Sequence, residues 1–236
     1  MHPITDASYV SDLPVIRYLN KVQELPFPQS VTFLVGENGS GKSTLLEAIA
    51  VCAGFNAEGG SRNFNFSTKH TESNLSTYMT LVKSAHEKDG FFLRAESFYN
   101  VASQVDDLHL NLQGYGGESL HRKSHGESFF SLVQHRFRGH GLYLLDEPES
   151  ALSPERQMGL LTEIDRLVKQ NSQLIIATHS PILLAYPNAT IYQFSESGID
   201  EVTYEETEHY LVTKQFLENP QRMMRYLLHA DESDSS

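Results

Sequence analysis

The segment GENGSGKST, from Gly36 to Thr44, decides the fold of this 236-residue chain. It matches the pattern G-x-x-x-x-G-K-[ST] in full, follows an apolar, β-branched run at 31–35 and precedes an apolar helical pattern at 45–50. Its glycines let the backbone turn tightly and direct successive N–H groups at a phosphate chain, and the dipole of the following helix adds positive potential. The segment therefore predicts a strand, a phosphate loop and a helix that together bind a nucleoside triphosphate.

The side chains of the phosphate loop have expected roles. Lys42 is placed to reach the β- and γ-phosphates, and the hydroxyl of Ser43 is placed to bind Mg²⁺. The residues predicted to contact ATP are Gly36, Glu37, Asn38, Gly39, Ser40, Gly41, Lys42, Ser43 and Thr44. The alternative is a glycine-rich turn with a chance Lys-Ser pair, which the predicted strand and helix on either side make improbable.

Composition limits the class of protein. A hydrophobic content of 39%, with 15 Gly and 9 Pro, is ordinary for a globular domain, and 236 residues fit one core with a small side lobe. No run approaches the roughly 20 apolar residues that span a bilayer, and the start MHPITDASYV lacks the pattern of a secretory signal. The single Cys52 cannot form an internal disulfide. We therefore expect a cytoplasmic protein.

Charge is distributed unevenly along the chain. The net charge of −12 argues against a generally basic surface that coats nucleic acid, and residues 231–236 predict an acidic, disordered tail. Basic residues nevertheless cluster at His121, Arg122, Lys123, His125, His135, Arg136, Arg138 and His140. Any contact with a DNA backbone is expected there. The alternatives are a solvated face and a cradle for the ATP of a partner chain.

Two more apolar runs are followed directly by polar side chains. Run 141–145 predicts a buried strand that leads into Asp146 and Glu147, and run 174–177 leads into His179 after one residue. Ligands of open α/β sheets bind beyond the C-terminal ends of the strands. We therefore expect Asp146 to hold Mg²⁺, directly or through water, Glu147 to orient and deprotonate the attacking water, and His179 to hydrogen-bond the γ-phosphate. The alternatives are carboxylates that merely end a strand and a structural histidine.

The segment RKSHGES, at 122–128, predicts the start of a helix. Ser124 followed by Glu127 fits a capping box, and an exposed helix N-terminus can bind phosphate. The alternative is an ordinary capped helix. The mixed polar and apolar residues before it predict a small, mostly helical side lobe at about 97–138.

In this order, the phosphate loop, the Ser-x-Gly-Glu helix start, Leu-Leu-Asp-Glu-Pro and Thr-His-Ser resemble the ATP-binding-cassette (ABC) class of P-loop ATPases over roughly residues 10–195. The resemblance implies a single α/β domain at 1–230 with a P-loop NTPase fold of ABC type. A mostly parallel central sheet with flanking helices, an N-terminal antiparallel β portion and the small helical lobe belong to that fold. ATP and Mg²⁺ are the implied cofactors.

The same resemblance implies that two chains close head to tail around two ATP molecules. Ser124, Gly126 and Glu127 would then contact the nucleotide of the partner subunit. Glu147 matches the catalytic base of the family and His179 its switch histidine. The loop at 151–153 matches the one that links the two sites.

The sequence departs from the family at two places. The signature, usually Leu-Ser-Gly-Gly-Gln, reads Lys-Ser-His-Gly-Glu here, so that His125 and Glu127 replace a glycine and the glutamine. The family commonly has a Mg²⁺-sensing glutamine after the central strand, where the best match is Glu96, which we expect to bind the metal. Both departures bear on coupling to a partner rather than on ATP chemistry.

The ABC class contains several kinds of ATPase. Heads of chromosome-maintenance and double-strand-break-repair proteins carry a long coiled coil between the phosphate loop and the signature, whereas this chain has only about 80 residues there. The chain most resembles a compact, stand-alone bacterial ATPase similar to those heads without the coiled coil. We expect an ATP-hydrolysing homodimeric switch that drives a separate effector or a DNA transaction in repair or defence. The alternatives are the energy subunit of a membrane transporter and a non-hydrolysing ATP-sensing scaffold.

Overall fold

A computed structural model describes residues 14–22, 24–62, 74–98, 102–103 and 124–229 of the chain. The helices are α1 (Pro14–Val22), α2 (Lys42–Cys52), α3 (His125–Arg136), α4 (Pro154–Lys169), α5 (Pro181–Leu184), α6 (Glu208–Glu218) and α7 (Pro220–His229). The strands are β1 (Val31–Gly36), β2 (Asp89–Arg94), β3 (Gly141–Asp146), β4 (Gln173–Ala177), β5 (Thr190–Ser195) and β6 (Gly198–Val202). Short 3₁₀ helices lie at Asn74–Tyr78, Pro148–Ala151 and Tyr204–Glu206.

The six strands form one sheet in the order β2-β3-β4-β1-β5-β6. Neighbouring strands are parallel except β5 and β6, which are antiparallel. Every residue of β1 and β3 is buried, as expected for strands whose two faces are both covered by helices. The predicted α/β class with a mostly parallel sheet is therefore confirmed.

Alternating side chains divide the interior into two cores. Phe33 of β1 and Tyr143 of β3 lie in one core with residues of α3 and α4, whereas their neighbours Leu34 and Leu144 lie in the other with residues of α1 and α2. Successive residues of a strand point to opposite faces, so a continuous apolar run supplies both cores at once. The helices packed on both faces of the sheet enclose β1, which carries the phosphate loop, in the middle of the sheet.

An N-terminal antiparallel β portion was predicted without residue bounds, and residues 1–13 lie outside the described ranges, so this part stays a prediction. Residues 14–22 form α1, in which Ile16 and Leu19 are buried and lie three residues apart, on one face of a helix. The antiparallel pair is β5 with β6, late in the chain. Among the described strands, the antiparallel pair thus lies at the end of the sheet away from β2.

Two other predictions fall mainly outside the described residues. The side lobe at 97–138 includes 99–101 and 104–123, and the acidic tail occupies 231–236, so both stay predictions. Of the lobe, α3 packs on the main core through Phe129, Leu132 and Val133. In the ranges that the structure describes, no helix has the length and apolar character needed to cross a membrane.

Replacing Phe33 by alanine tests the central position of β1. Phe33 is fully buried, so Phe33→Ala should lower the free energy of unfolding by about 3–5 kcal/mol through lost burial and the cavity left behind. The exposed Val82 provides the control, because Val82→Ala should change it by less than about 0.5 kcal/mol. Urea unfolding followed by circular dichroism measures both, and equal effects of the two substitutions would contradict the fold.

Candidate functional site

The phosphate loop joins β1 to α2 at the middle of the sheet. Gly36 has a φ of 140°, and a Cβ there would lie 2.4 Å from the carbonyl oxygen of Phe194, so only glycine fits where β1 ends. Gly41 caps α2 in the left-handed region. Beside the loop lies a cavity of about 140 Å³, lined by Asn38, Gly39, Gly41, Lys42, Ser43, Thr44 and Glu147. Most of the predicted ATP-contacting residues thus border a single cavity.

Lys42 is held over the loop. Its side chain is buried, and its Nζ donates hydrogen bonds to the carbonyl oxygens of Gly36 at 2.7 Å and Glu37 at 2.8 Å. Burial lowers the pKa of Lys42, while the nearby carboxylates of Glu147 and Asp146 act in the opposite direction. The ammonium group therefore sits beside the cavity with backbone partners that a phosphate could replace.

Ser43 and Asp146 meet at the same edge of the sheet. The Ser43 hydroxyl donates a hydrogen bond to Oδ1 of Asp146 at 2.9 Å, although the two residues are 103 positions apart in the sequence. Asp146 is only 5% exposed, and burial raises the pKa of its carboxyl to about 6, against the opposing effect of Arg94. Two of the three predicted Mg²⁺ ligands are thus brought together.

Glu147 has an unusual backbone conformation. Its φ of 50° and ψ of 51° lie in the left-handed region, which a residue with a Cβ seldom adopts, and its N–H donates to the carbonyl oxygen of Ala177 at 2.9 Å. Such conformations persist where surrounding contacts enforce them, and they are frequent at functional sites. Here the conformation turns the chain away from β4 and leaves Glu147 at the wall of the cavity.

Glu149 is a site residue that the sequence reasoning missed. Its carboxylate accepts hydrogen bonds from the hydroxyl of Thr178 at 2.7 Å and from the backbone N–H of His179 at 2.5 Å. Burial raises the pKa of Glu149, and these two bonds favour the charged form. The carboxylate therefore fixes the segment that carries the predicted switch histidine. Its place two residues after Glu147 was the available signal.

Arg94, at the end of β2, was missed as well. Its guanidinium lies 3.0 Å from Oε2 of Glu47, 3.4 Å from Oδ2 of Asp146 and 3.8 Å from Oε2 of Glu96. Glu96 follows the end of β2 by two residues, as the sequence predicted. Its charge contributes to the raised pKa of Asp146, but its side chain is 84% exposed. Glu96 as a metal ligand stays a prediction. An arginine closing an apolar strand was the signal for Arg94.

The capping box predicted at the start of α3 is confirmed. The backbone N–H of Glu127 donates to Oγ of Ser124 at 3.4 Å, and Oε2 of Glu127 accepts from the N–H of Ser124 at 3.1 Å. Oε1 of Glu127 lies 3.2 Å from Arg156. A Cβ on Gly126 would lie 2.6 Å from the carbonyl oxygen of Ala151, so α3 begins directly against the loop after β3. Ser124 itself is exposed, and its contact with a partner's nucleotide stays a prediction.

The basic cluster is only partly described. Residues 121–123 lie outside the described ranges. Arg136 pairs with Asp89 at 2.7 Å, and Nδ1 of His135 lies 2.8 Å from the carbonyl oxygen of Ser131. These two side chains already have partners within the chain, and DNA binding stays a prediction.

Several solved structures are similar to this chain. The SMC head domain from Thermotoga maritima is 16% identical, with 76% of this chain and 92% of that chain covered and a TM-score of 0.41. CbiO1 from Clostridium perfringens, part of the ABC transporter complex cbiONQ, is 16% identical, with 87% and 90% covered and a TM-score of 0.45. An ATP-binding cassette of an ABC transporter is 18% identical, with 83% and 87% covered and a TM-score of 0.41.

Family models match the chain over its first and middle parts. A family described as "AAA domain" matches residues 16–139, more than half of the chain. A second, described as "AAA domain, putative AbiEii toxin, Type IV TA system", matches residues 127–185. No curated protein sequence matches the chain at a significant level. The resemblance to ABC-class P-loop ATPases agrees with these matches, and the chain belongs to the AAA-domain family.

Proposed function

We propose that this protein binds ATP with Mg²⁺ and hydrolyses it to ADP and phosphate. The observation that carries the proposal is the meeting of four side chains at one cavity edge. Lys42, Ser43 and Glu147 line the cavity, and Asp146 is hydrogen-bonded to Ser43. They come from two parts of the chain and combine a cation, a hydroxyl and two carboxylates, as transfer of a phosphoryl group to water requires.

The residues present fit Mg²⁺. This ion prefers oxygen ligands and is usually held by one or two carboxylates together with substrate phosphates and waters. The Ser43 hydroxyl and the Asp146 carboxylate would hold it, and when bound it supplies positive charge that offsets the charge of the phosphates. The burial that raises the pKa of Asp146 makes its unpaired anionic form unfavourable, so a cation there would be stabilising.

Glu147 is the proposed general base. It takes a proton from a water molecule whose oxygen forms a bond to the γ-phosphorus, while the bond from that phosphorus to the bridging oxygen breaks and ADP leaves. The Lys42 ammonium stabilises negative charge on the phosphates, and His179 donates a hydrogen bond to a γ-phosphate oxygen. A carboxylate at the cavity wall favours hydrolysis over a purely ATP-sensing scaffold.

ATP binding is further proposed to join two chains into a dimeric switch that drives an effector or a DNA transaction. The motif order supports this, as does the exposure of Ser124 at a helix start that does not line the described cavity. A second chain could then supply Ser124, Gly126 and Glu127 to the nucleotide, with a helix N-terminus directed at phosphate. The proposed product of binding is a dimer in which two ATP molecules lie between the two chains.

Lys42→Ala tests the phosphate site. Removing the ammonium should weaken ATP binding at least tenfold, because a charge-assisted hydrogen bond to phosphate contributes about 1.5–3 kcal/mol. Isothermal titration with ATP and Mg²⁺ measures this. Lys169→Ala is the matched control, because Lys169 is exposed and pairs with Asp165 on α4. Unchanged ATP affinity in Lys42→Ala would refute the assignment of the loop.

Glu147→Gln tests the base and the dimer together. Glutamine keeps the shape and hydrogen-bonding reach of the side chain but cannot take the proton, so ATP should bind, remain unhydrolysed and hold two chains together. Ser124→Arg should bind ATP yet stay monomeric. Light scattering with ATP and Mg²⁺ gives the masses. A Glu147→Gln protein that stays monomeric when saturated with ATP would exclude the proposed ATP-bound dimer.

Asp146→Asn tests, in the absence of ATP and Mg²⁺, how much the buried carboxylate lowers the free energy of unfolding. Because the folded pKa of about 6 exceeds the ordinary value near 4, the wild-type free energy of unfolding should fall as pH rises from about 4 to about 6. The variant lacks this titration, so it should be more stable by about 3 kcal/mol above pH 6 and equally stable near pH 4. Urea unfolding across pH measures the difference. Asp165→Asn is the control, because the Asp165 side chain is 46% exposed, and a less stable Asp146→Asn at pH 8 would contradict the expectation.

A further inference from the structure

A second histidine lies against the predicted switch histidine. Nδ1 of His179 is 2.8 Å from Nε2 of His209, and the ring centroids are 4.9 Å apart. On its other side, Nε2 of His179 is 3.6 Å from Oε1 of Glu147. The three side chains therefore form a row that runs from the cavity wall to the start of α6.

Local structure fixes where His209 lies. It is the second residue of α6, whose N-cap Thr207 is fully buried. The hydroxyl of Thr207 accepts from the N–H of Tyr210 at 3.4 Å and donates to the carbonyl oxygen of Tyr204 at 2.7 Å. A capped helix start has little freedom to move, so the ring of His209 is presented to His179 by a defined turn of backbone.

The pair of rings can share its protons in two ways. Burial lowers the pKa of His179 and of His209, so at neutral pH each ring is neutral and has one N–H. In one arrangement His209 donates from Nε2 to Nδ1 of His179, which then carries its own proton on Nε2. In the other, His179 donates from Nδ1, and its Nε2 has a lone pair while His209 carries a proton on Nδ1.

Glu147, at one end of the row, favours the first arrangement. The second would place the lone pair of His179 Nε2 against the carboxylate of Glu147, and two acceptors repel. Nε2 of His179 and Nδ1 of His209 are both buried without a hydrogen-bond partner among the described residues. The first arrangement places its proton on Nε2 of His179, 3.6 Å from the Glu147 carboxylate, whereas the second places it on Nδ1 of His209. The nearby negative charge therefore favours the first.

We propose that His209 is a positioning residue for the ATPase reaction proposed above: its Nε2–H donates to Nδ1 of His179 and thereby fixes His179 as the tautomer with Nε2–H toward Glu147. That tautomer can donate to a phosphate oxygen, whereas the other cannot. Second partners of this kind set the tautomer and orientation of functional histidines in many sites. The start of α6 is thus part of the catalytic arrangement.

The tautomer is measured directly by the ring ¹⁵N chemical shifts of His179 in the free, full-length protein at pH 8, assigned by comparison with His179→Gln. We expect a protonated Nε2 and an unprotonated Nδ1. His209→Gln keeps an N–H donor at about the same reach and should keep this tautomer. His209→Leu removes the donor and should give a mixture. A wild-type ring protonated on Nδ1 would overturn the proposal without any measurement of turnover.

Turnover provides the second readout. His209→Leu should lower kcat about tenfold with unchanged affinity for ATP, and His209→Gln should restore kcat close to the wild-type value. His86→Leu is the control, since His86 is exposed and remote from the row in the sequence. A wild-type kcat in His209→Leu, or a His209→Gln variant as slow as His209→Leu, would refute the proposal. If the wild type itself shows no hydrolysis, the proposed function fails while the NMR result still decides the tautomer.

Discussion

Parallel pairing of β1, β4 and β3 is the constraint on which the site depends. Leu34 and Asp146 both lie opposite Ala177, so the chain leaves all three strands at the same level of the sheet. A slip by one residue would move each side chain of the strand into the other core, where it would not match the close packing of its new neighbours. The apolar contacts that stabilise the fold thus also set the distance between the phosphate loop, the acidic pair and the predicted switch histidine. The hydrogen bond from Ser43 to Asp146 is a direct consequence.

Burial also separates the carboxylates by role. A buried carboxylate is unfavourable unless hydrogen bonds or cations stabilise it. Glu149 accepts from Thr178 and from the backbone of His179, so its lone pairs are committed to holding a loop. Asp146 has the Ser43 hydroxyl and a longer contact with Arg94, and burial still raises its pKa. The contacts of Asp146 do not offset the unfavourable burial of its charge, and Asp146 is also the carboxylate placed to bind a cation. Binding a cation would remove this unfavourable term and so favour the ligand-bound state.

Sequence reasoning predicted the structural features that depend on residues close together in the chain. The strand–loop–helix order at the phosphate loop, the strands predicted at 31–35, 141–145 and 174–177 and the capping box each depend on side chains a few positions apart, and all are confirmed. It missed Arg94, Glu149 and His209, because their partners lie 47, 29 and 30 positions away and become neighbours only when the sheet forms. The N-terminal antiparallel portion came from a family resemblance rather than from residues, and it stays a prediction because residues 1–13 lie outside the described ranges. The roles of Ser124 and Gly126 in trans involve a second chain, which the spacing of motifs in one chain does not fix.

The contacts around the loop after β3 give the proposed dimer a physical basis for communication. The start of α3 touches this loop at Ala151, and Gly126 leaves no room for even a Cβ between them. The same loop contains Glu149, which holds the backbone of His179, and it follows Glu147 directly. A shift of α3 would therefore press on the segment that positions the proposed base and the predicted switch histidine of the same chain. In the proposed head-to-tail pair, α3 would meet the partner's nucleotide, so each chain would sense at its own site whether the other site is filled.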